Sequence, residues 1–298
     1  MYPDPDAKRH FGTLDAVLIA LVLGLAAYAW FRVSDVLVYR WNWSFLPQVL
    51  FRKSADGEWW IPNVLLLGLL TTIRLAIWSM LLASVIGVVL GVMATLKRLL
   101  PRLVAFGYVG IIRNVPPLVF IFVFYFFISA QLIPAFGIDV WARNLGPTGQ
   151  QVMNILLGPP QILENLISGV LCLAMFEAAY ISEIVRGGIR SIPHSQTEAA
   201  QSLGLKPLQT FRLVILPQAL RAVLPPLANQ FIMLVKDSSI VSLISVQELT
   251  FIGTEISVST GRRFETWIVV AAMYFALCYG LALLFARMER RMRRKTAL

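Results

Sequence analysis

Few side chains in this chain are placed to do chemistry, and those few lie inside apolar surroundings. "KDSS" at 236–239 sets a lysine, an aspartate and two hydroxyls in succession within an otherwise apolar run. Glu177 sits alone in another apolar run, and Arg113 directly precedes Asn114-Val115-Pro116-Pro117. Ionisable groups in such settings face a bundle interior or an aqueous cavity. Lys236 and Asp237 beside Ser238 and Ser239 suit a broken helix that offers polar groups to a zwitterion. The same two charges would also serve by neutralising one another as structural glue. Glu177 admits three readings: it faces a ligand ammonium group, pairs with Arg74 or Arg113, or is kept protonated by desolvation. Glu183 and Arg186, with Arg190, are spaced for helical ion pairs. The patterns needed for catalysis are missing. There is no H-E-x-x-H, no G-x-S-x-G, no second histidine near His194 and no G-x4-G-K-[S/T]. No catalytic residue and no metal ligand are assigned. Cys172 and Cys278 lie singly in apolar runs and suggest neither a disulfide framework nor a metal site.

The elements that hold these residues are membrane spans. Of 298 residues, 58% are hydrophobic and 14% charged, against roughly 45–50% and 25% in soluble domains. Six apolar runs cover about 14–31, 63–96, 101–128, 162–187, 222–246 and 267–286. In lipid such runs are helical, because the backbone must satisfy its own hydrogen bonds. The expected fold class is therefore all-α integral membrane with about six transmembrane helices. A Trp-rich stretch (39–60) and a Gly/Pro-rich loop (129–161) separate some of them. Lys and Arg gather at 8–9, 97–102, 186–221 and 287–295, and about half as many fall on the alternating side. That bias puts both termini in the cytoplasm. "AAYAW" (26–30) carries an A-x-A-like pattern, so a cleaved leader is the alternative reading of the first run. The net charge of +10 is read as topology and lipid-headgroup charge, above all in "RMERRMRRK", and not as a nucleic-acid surface. Trp41, Trp43, Trp59 and Trp60 read as interface anchors. The double proline at 116–117 predicts a kink or hinge in the third run.

One cytoplasmic connector is polar and patterned. Ser195 and Glu198 have the S-x-x-E spacing of a capping box, Ala199 and Ala200 favour helix, and Gly204 is placed for a left-handed stop. Lys206-Pro207 opens a second piece with Leu208, Phe211 and Ile215 on one face, and Pro217 is expected to end it.

These residues carry a resemblance. Glu198-Ala199-Ala200, three residues, Gly204, nine residues and then "VILP" (214–217) resembles the cytoplasmic EAA loop of ABC importer permeases, with Val214 in place of isoleucine. "RNVPPLVFIFVFYF" (113–126), "AAYISEIVRGGIRSIP" (178–193) and "KDSSIVSLISVQELT" (236–250) extend it, so that about 64–290 is similar to the polar amino acid uptake group. The resemblance implies a five-helix type I ABC importer core plus one N-terminal helix. It divides the chain into 1–60, an N-terminal helix with a Trp-rich external segment, and 61–298, the permease domain with a coupling loop at 191–217. It implies that Glu198, Ala199, Ala200, Gly204, Leu216 and Pro217 dock against a separate ATP-binding subunit, which would use the ATP, with no cofactor in this chain. It further implies a homodimer or a sister permease, a periplasmic amino acid-binding protein, and the bacterial inner membrane. Glu177 departs from the small or hydroxyl residue usual before A-A-Y, and Asn114-Val115 from an R-G-T-P-like turn. An ion-coupled secondary amino acid transporter is the alternative, but it calls for repeated halves, and no internal repeat is visible.

Overall fold

A computed structural model describes residues 12–36, 39–54 and 56–294. Residues up to Trp43 and those from Ser44 onward form two compact units. The first contains α1 (Thr13–Val36) and the stacked rings of Trp41 and Trp43, 5.8 Å apart.

The second unit opens with α2 (Leu46–Leu50) and a short antiparallel hairpin, β1 (Phe51–Lys53) with β2 (Trp60–Pro62), in which Arg52 faces Ile61. Part of the Trp-rich stretch thus belongs to the main body, where Phe45 is buried with Leu65, Leu249 and Ile256. Then come α3 (Val64–Met93), α4 (Leu99–Asn114), α5 (Pro117–Phe124) and α6 (Ala130–Ala135). After them follow α7 (Ile138–Arg143), α8 (Pro147–Leu156) and α9 (Pro160–Arg190). The chain continues with α10 (His194–Ser202), α11 (Pro207–Thr210), α12 (Leu216–Asp237), α13 (Leu249–Thr260) and α14 (Arg263–Arg294).

Among the described residues, six segments are long and apolar enough to cross a membrane: Thr13–Arg32, Val64–Met93, Pro117–Arg143, Pro160–Arg190, Pro207–Ile244 and Arg263–Arg291. The third differs from the expected 101–128. Val115 and Pro116 are both extended (ψ 133° and 138°), so α4 ends and α5 begins anew instead of one helix kinking. Two prolines without N–H groups, and the bar they place on helical geometry in the preceding residue, account for a full break. The expected loop at 129–161 is also largely helical. Its Pro and Gly residues sit at the junctions: Gly137 (φ 57°) before α7, Pro147 at the first turn of α8, and Gly158 (φ 95°) before α9.

The core is centred on α9, whose longest contact is with α3. The two helices approach through Ala83, Gly87 and Gly91, spaced four residues apart on one face of α3. A methyl group at Gly87 would lie 2.7 Å from Ile181 Cβ and 3.0 Å from the Ala178 carbonyl oxygen. One at Gly91 would lie 2.7 Å from Val185 Cβ. Small residues at this spacing let helix backbones close in where lipid supplies no hydrophobic drive. On the other side, Gly188 of α9 leaves room for Val223 of α12.

Gly87→Leu is expected to separate α3 from α9 and cost about 1–3 kcal/mol or more, lowering the thermal midpoint of the detergent-purified protein. Gly107→Leu, at a site with nothing within 4 Å, should leave it within error; equal effects would disprove the packing role.

Candidate functional site

The connector between α9 and α12 forms a compact exposed loop. Its first helix starts at His194 with Pro193 (φ −56°, ψ 139°) at the N-cap. The expected capping box is therefore absent. Ser195 already lies inside the first turn, where helical geometry prevents its hydroxyl from reaching the N–H groups that an N-cap serves. Glu198 instead lies 3.1 Å from His194 Nδ1, and both side chains are exposed. Ala199 is exposed and Ala200 buried. Gly204 adopts φ 79°, the left-handed stop expected of it, and Leu205 N–H reaches back to the Ala200 carbonyl at 3.2 Å. Leu203 and Leu208 stand 82% and 76% exposed, so an apolar edge accompanies the carboxylate.

Two expectations for the second piece fail together. Pro217 does not end a helix; it lies in the first turn of α12, which runs on to Asp237. The turn before it, Phe211–Ile215, widens to a π turn in which Leu216 N–H bonds to the Phe211 carbonyl. That wider turn accommodates a proline whose ring would clash with an ordinary i−4 carbonyl. It also shifts the register, so Leu208 is exposed while Phe211 and Ile215 are half-buried. Leu216 is half-buried and Pro217 exposed. Gln218 ties the base of α12 to α10 through Gln196 at 3.3 Å.

Deeper in the bundle, α9 and α12 hold a polar pair. Glu177 is fully buried, and Gln230 Nε2 donates to its Oε2 at 2.6 Å. Its Oε1 has no partner among the described residues. Asp237, seven residues beyond Gln230, approaches the same carboxyl group. Neither arginine suggested as a partner for Glu177 reaches it in an ion pair. Arg113 lies 3.6 Å from Glu183 and 5.7 Å from the Tyr180 ring centroid, while Arg186 grips Glu183 with both Nε (3.0 Å) and Nη2 (2.5 Å). Tyr180 follows Glu177 by one turn and Glu183 by the next, so a polar stripe runs down α9 toward the connector.

The remaining "KDSS" residues separate. Ser238 is buried and donates to the Val235 carbonyl; Ser239 donates to that of Lys236, each at 2.8 Å. These bonds close the last turn of α12, after which Ser238–Ile244 tightens to a 3₁₀ helix. The helix is interrupted here, as expected. Lys236 turns away from Glu177, toward α13 and α14, and lines a cavity of about 330 Å³ with Ser239, Thr250, Trp267 and Tyr274.

Two interactions were not anticipated. Arg74 donates to the carbonyls of Asn154 (2.8 Å) and Ile155 (3.0 Å), and Trp78 to that of Leu156 (3.0 Å). An intramembrane arginine thus caps the C-terminus of α8, a use no local pattern announces because the partners lie some 80 residues away. Glu248, fully buried, caps α13 by accepting from Thr250 N–H (2.9 Å) and Phe251 N–H (2.8 Å), and accepts the Tyr274 hydroxyl at 2.6 Å. A Glu before Leu-Thr was the signal, but glutamate is an uncommon N-cap. Among the described residues, no group of three or more His, Cys, Asp or Glu side chains could hold a metal ion.

With this geometry in view, the chain can be set beside known proteins. Residues 85–294 match the family described as binding-protein-dependent transport system inner membrane component. The glutamate/aspartate import permease protein GltK of Escherichia coli O6:H1 is 31% identical over 233 residues, 78% of this chain and 95% of the relative. The probable glutamine ABC transporter permease protein GlnP of Bacillus subtilis is 34% identical over 74% of this chain and 90% of its own length. The crystal structure of an amino acid ABC transporter with histidines superposes with a TM-score of 0.61 at 31% identity, covering 76% of this chain and 94% of that one. The inward-facing MetNI methionine ABC transporter, 21% identical with a TM-score of 0.57, shares the fold.

Arg74→Ala should release the end of α8 by removing charge-assisted bonds of about 1.5–3 kcal/mol each. Amide exchange at 154–158 is expected to quicken on the order of tenfold or more relative to α9; unchanged exchange would show that the arginine does not hold the helix.

Proposed function

The chain belongs to the binding-protein-dependent transport system inner membrane components, and from that premise we propose that it is the permease subunit of an ATP-driven importer of polar amino acids. In this reading it works in a bacterial inner membrane, with both termini cytoplasmic, beside a homodimeric or sister permease. A separate ATP-binding subunit hydrolyses the ATP, and a periplasmic amino acid-binding protein delivers the substrate. The ion-coupled alternative finds no support in the family.

The observation that carries the reading is the connector. The exposed surface of Glu198, Ala199, Leu203 and Gly204 joins the two helices that hold the polar pair. Glu177 lies thirteen residues before Arg190 and Gln230 fourteen after Leu216, both roughly 20 Å from the loop at 1.5 Å per residue. Displacement of α10 by an ATPase would be carried along α9, and along α12 through the Pro225-Pro226 pair inside it, to the level of Glu177. The free Oε1 and the approaching Asp237 then suit the ammonium group of a passing amino acid, and Arg113 lies farther along the same stripe. Ala199 lets a partner surface come close, Glu198 supplies a polar anchor, and Leu216 and Pro217 fix where the second helix departs.

Gly204→Val, a β-branched residue at positive φ, should misdirect the loop at a cost of about 1–2 kcal/mol or more. Uptake of labelled glutamate or glutamine and co-purification of the ATPase should both fall several-fold while membrane insertion is retained. Wild-type uptake with this variant would count against the coupling role. Glu177→Gln, which keeps a partner for Gln230, is expected to lower uptake by about tenfold and leave ATPase association intact. Joint loss of both would indicate misfolding.

A further inference from the structure

Arg113 carries a charge that its surroundings leave unspent. It stands in the last turn of α4, and its side chain is 46% exposed. Among the described residues its one carboxylate neighbour within 4 Å is Glu183 Oε2 at 3.6 Å, too long for a hydrogen bond. That oxygen already accepts Arg186 Nη2 at 2.5 Å, while Arg186 Nε takes the other at 3.0 Å. Arg186 thus holds Glu183 and leaves the N–H groups of Arg113 without an acceptor among the described residues. The end of α4 is served by Asn114, whose Nδ2 donates to the Gly110 carbonyl at 2.7 Å. The Arg113 guanidinium lies over the Tyr180 ring, 5.7 Å from its centroid.

Tyr180 links this cation to the polar pair. Its ring packs on Phe176, and the charges of Glu177, Asp237 and Arg113 all act on its hydroxyl. Along α9 the acid lies one turn before Tyr180, and Glu183, which Arg113 approaches, one turn after it. Glu177 and Glu183 are six residues apart, about 9 Å along the helix. The ammonium and carboxylate of an α-amino acid lie about 3 Å apart. With a charge-assisted hydrogen bond of about 2.8 Å at each end, such a molecule spans nearly the same length. A simple anion would meet Arg113 and leave Glu177 Oε1 unmatched; a simple cation would do the reverse. The two ends together select a zwitterion.

We propose that Arg113 binds the α-carboxylate of the amino acid whose ammonium group meets Glu177, with the Tyr180 hydroxyl as a second donor to that carboxylate. Arg186 is the positioning residue, since its grip on Glu183 keeps Arg113 available. The inference rests on the transport reading and deepens it. The site grips the backbone portion that all α-amino acids share and leaves the side chain unread.

The test uses the full chain with its partner subunits in liposomes, given labelled glutamate, glutamine, histidine and arginine one at a time. Wild type that carries none of them would defeat the transport reading and this inference with it. Where wild type carries one, Arg113→Gln should lower its maximal uptake about ten-fold with the ATPase still associated, and Arg113→Lys should restore part of it. Tyr180→Phe should lose about three-fold. Uptake by Arg113→Gln equal to wild type would overturn the assignment alone. A second measurement needs no variant. In detergent without binding protein, the transported amino acid at millimolar concentration should raise the thermal midpoint of the wild-type complex, and its decarboxylated amine should not. Equal effects of the two would show that the carboxylate is not recognised and overturn the proposal, whether or not Arg113→Gln assembles.

Discussion

The bundle depends on one close contact, the meeting of α3 and α9 across Gly87 and Gly91. Inside a bilayer, apolar side chains gain nothing by leaving lipid for one another, so helices associate through short-range packing and hydrogen bonds. Placing Ile181 and Val185 over the two glycines maximises that packing. It also makes α9 a spine on which α12 can rest through Gly188, fixing the positions of both helices that carry the polar pair.

Around this spine, several polar groups are satisfied by the backbone of helix ends. Arg74 ends α8, Glu248 begins α13, and Ser238 and Ser239 close α12; each gives hydrogen bonds to, or takes them from, backbone groups at a helix end, and Glu248 also accepts the Tyr274 hydroxyl. Two proline sites act in the same sense, whereas Pro134, Pro225 and Pro226 lie inside helices. Pro116-Pro117 and Pro217 lie at a break and at a widened turn. Among the described residues Glu177 Oε1, like the hydroxyls of Ser129 and Ser182, is buried and unpartnered, and Glu177 is the one ionisable group of the three.

The connector joins the two helices that hold the polar pair. The loop is short, its second helix flows into α12 without a stop, and Gln196 ties to Gln218 across its base. In the proposed reading, motion imposed on α10 would pass into the helices on either side.

Sequence alone determined the membrane class, the number of spans, the left-handed turn at Gly204 and the interruption at "KDSS". These follow from local rules: apolar length, charge bias, and the backbone freedom of glycine. The EAA spacing was equally legible because it is contiguous. Tertiary structure alone decided where the charges point. Arg74 met α8, Arg113 met Glu183, and Lys236 lined a cavity against α13 and α14 while Asp237 approached Glu177, since each outcome depends on partners far away in the chain. It also decided that Ser195 would not cap α10 and that Pro217 would start a helix, because the exact entry of the chain at Pro193 and the π turn at 211–215 come from how α9 and α12 are held. Local chemistry names the groups that must be satisfied; only packing selects which neighbour satisfies them.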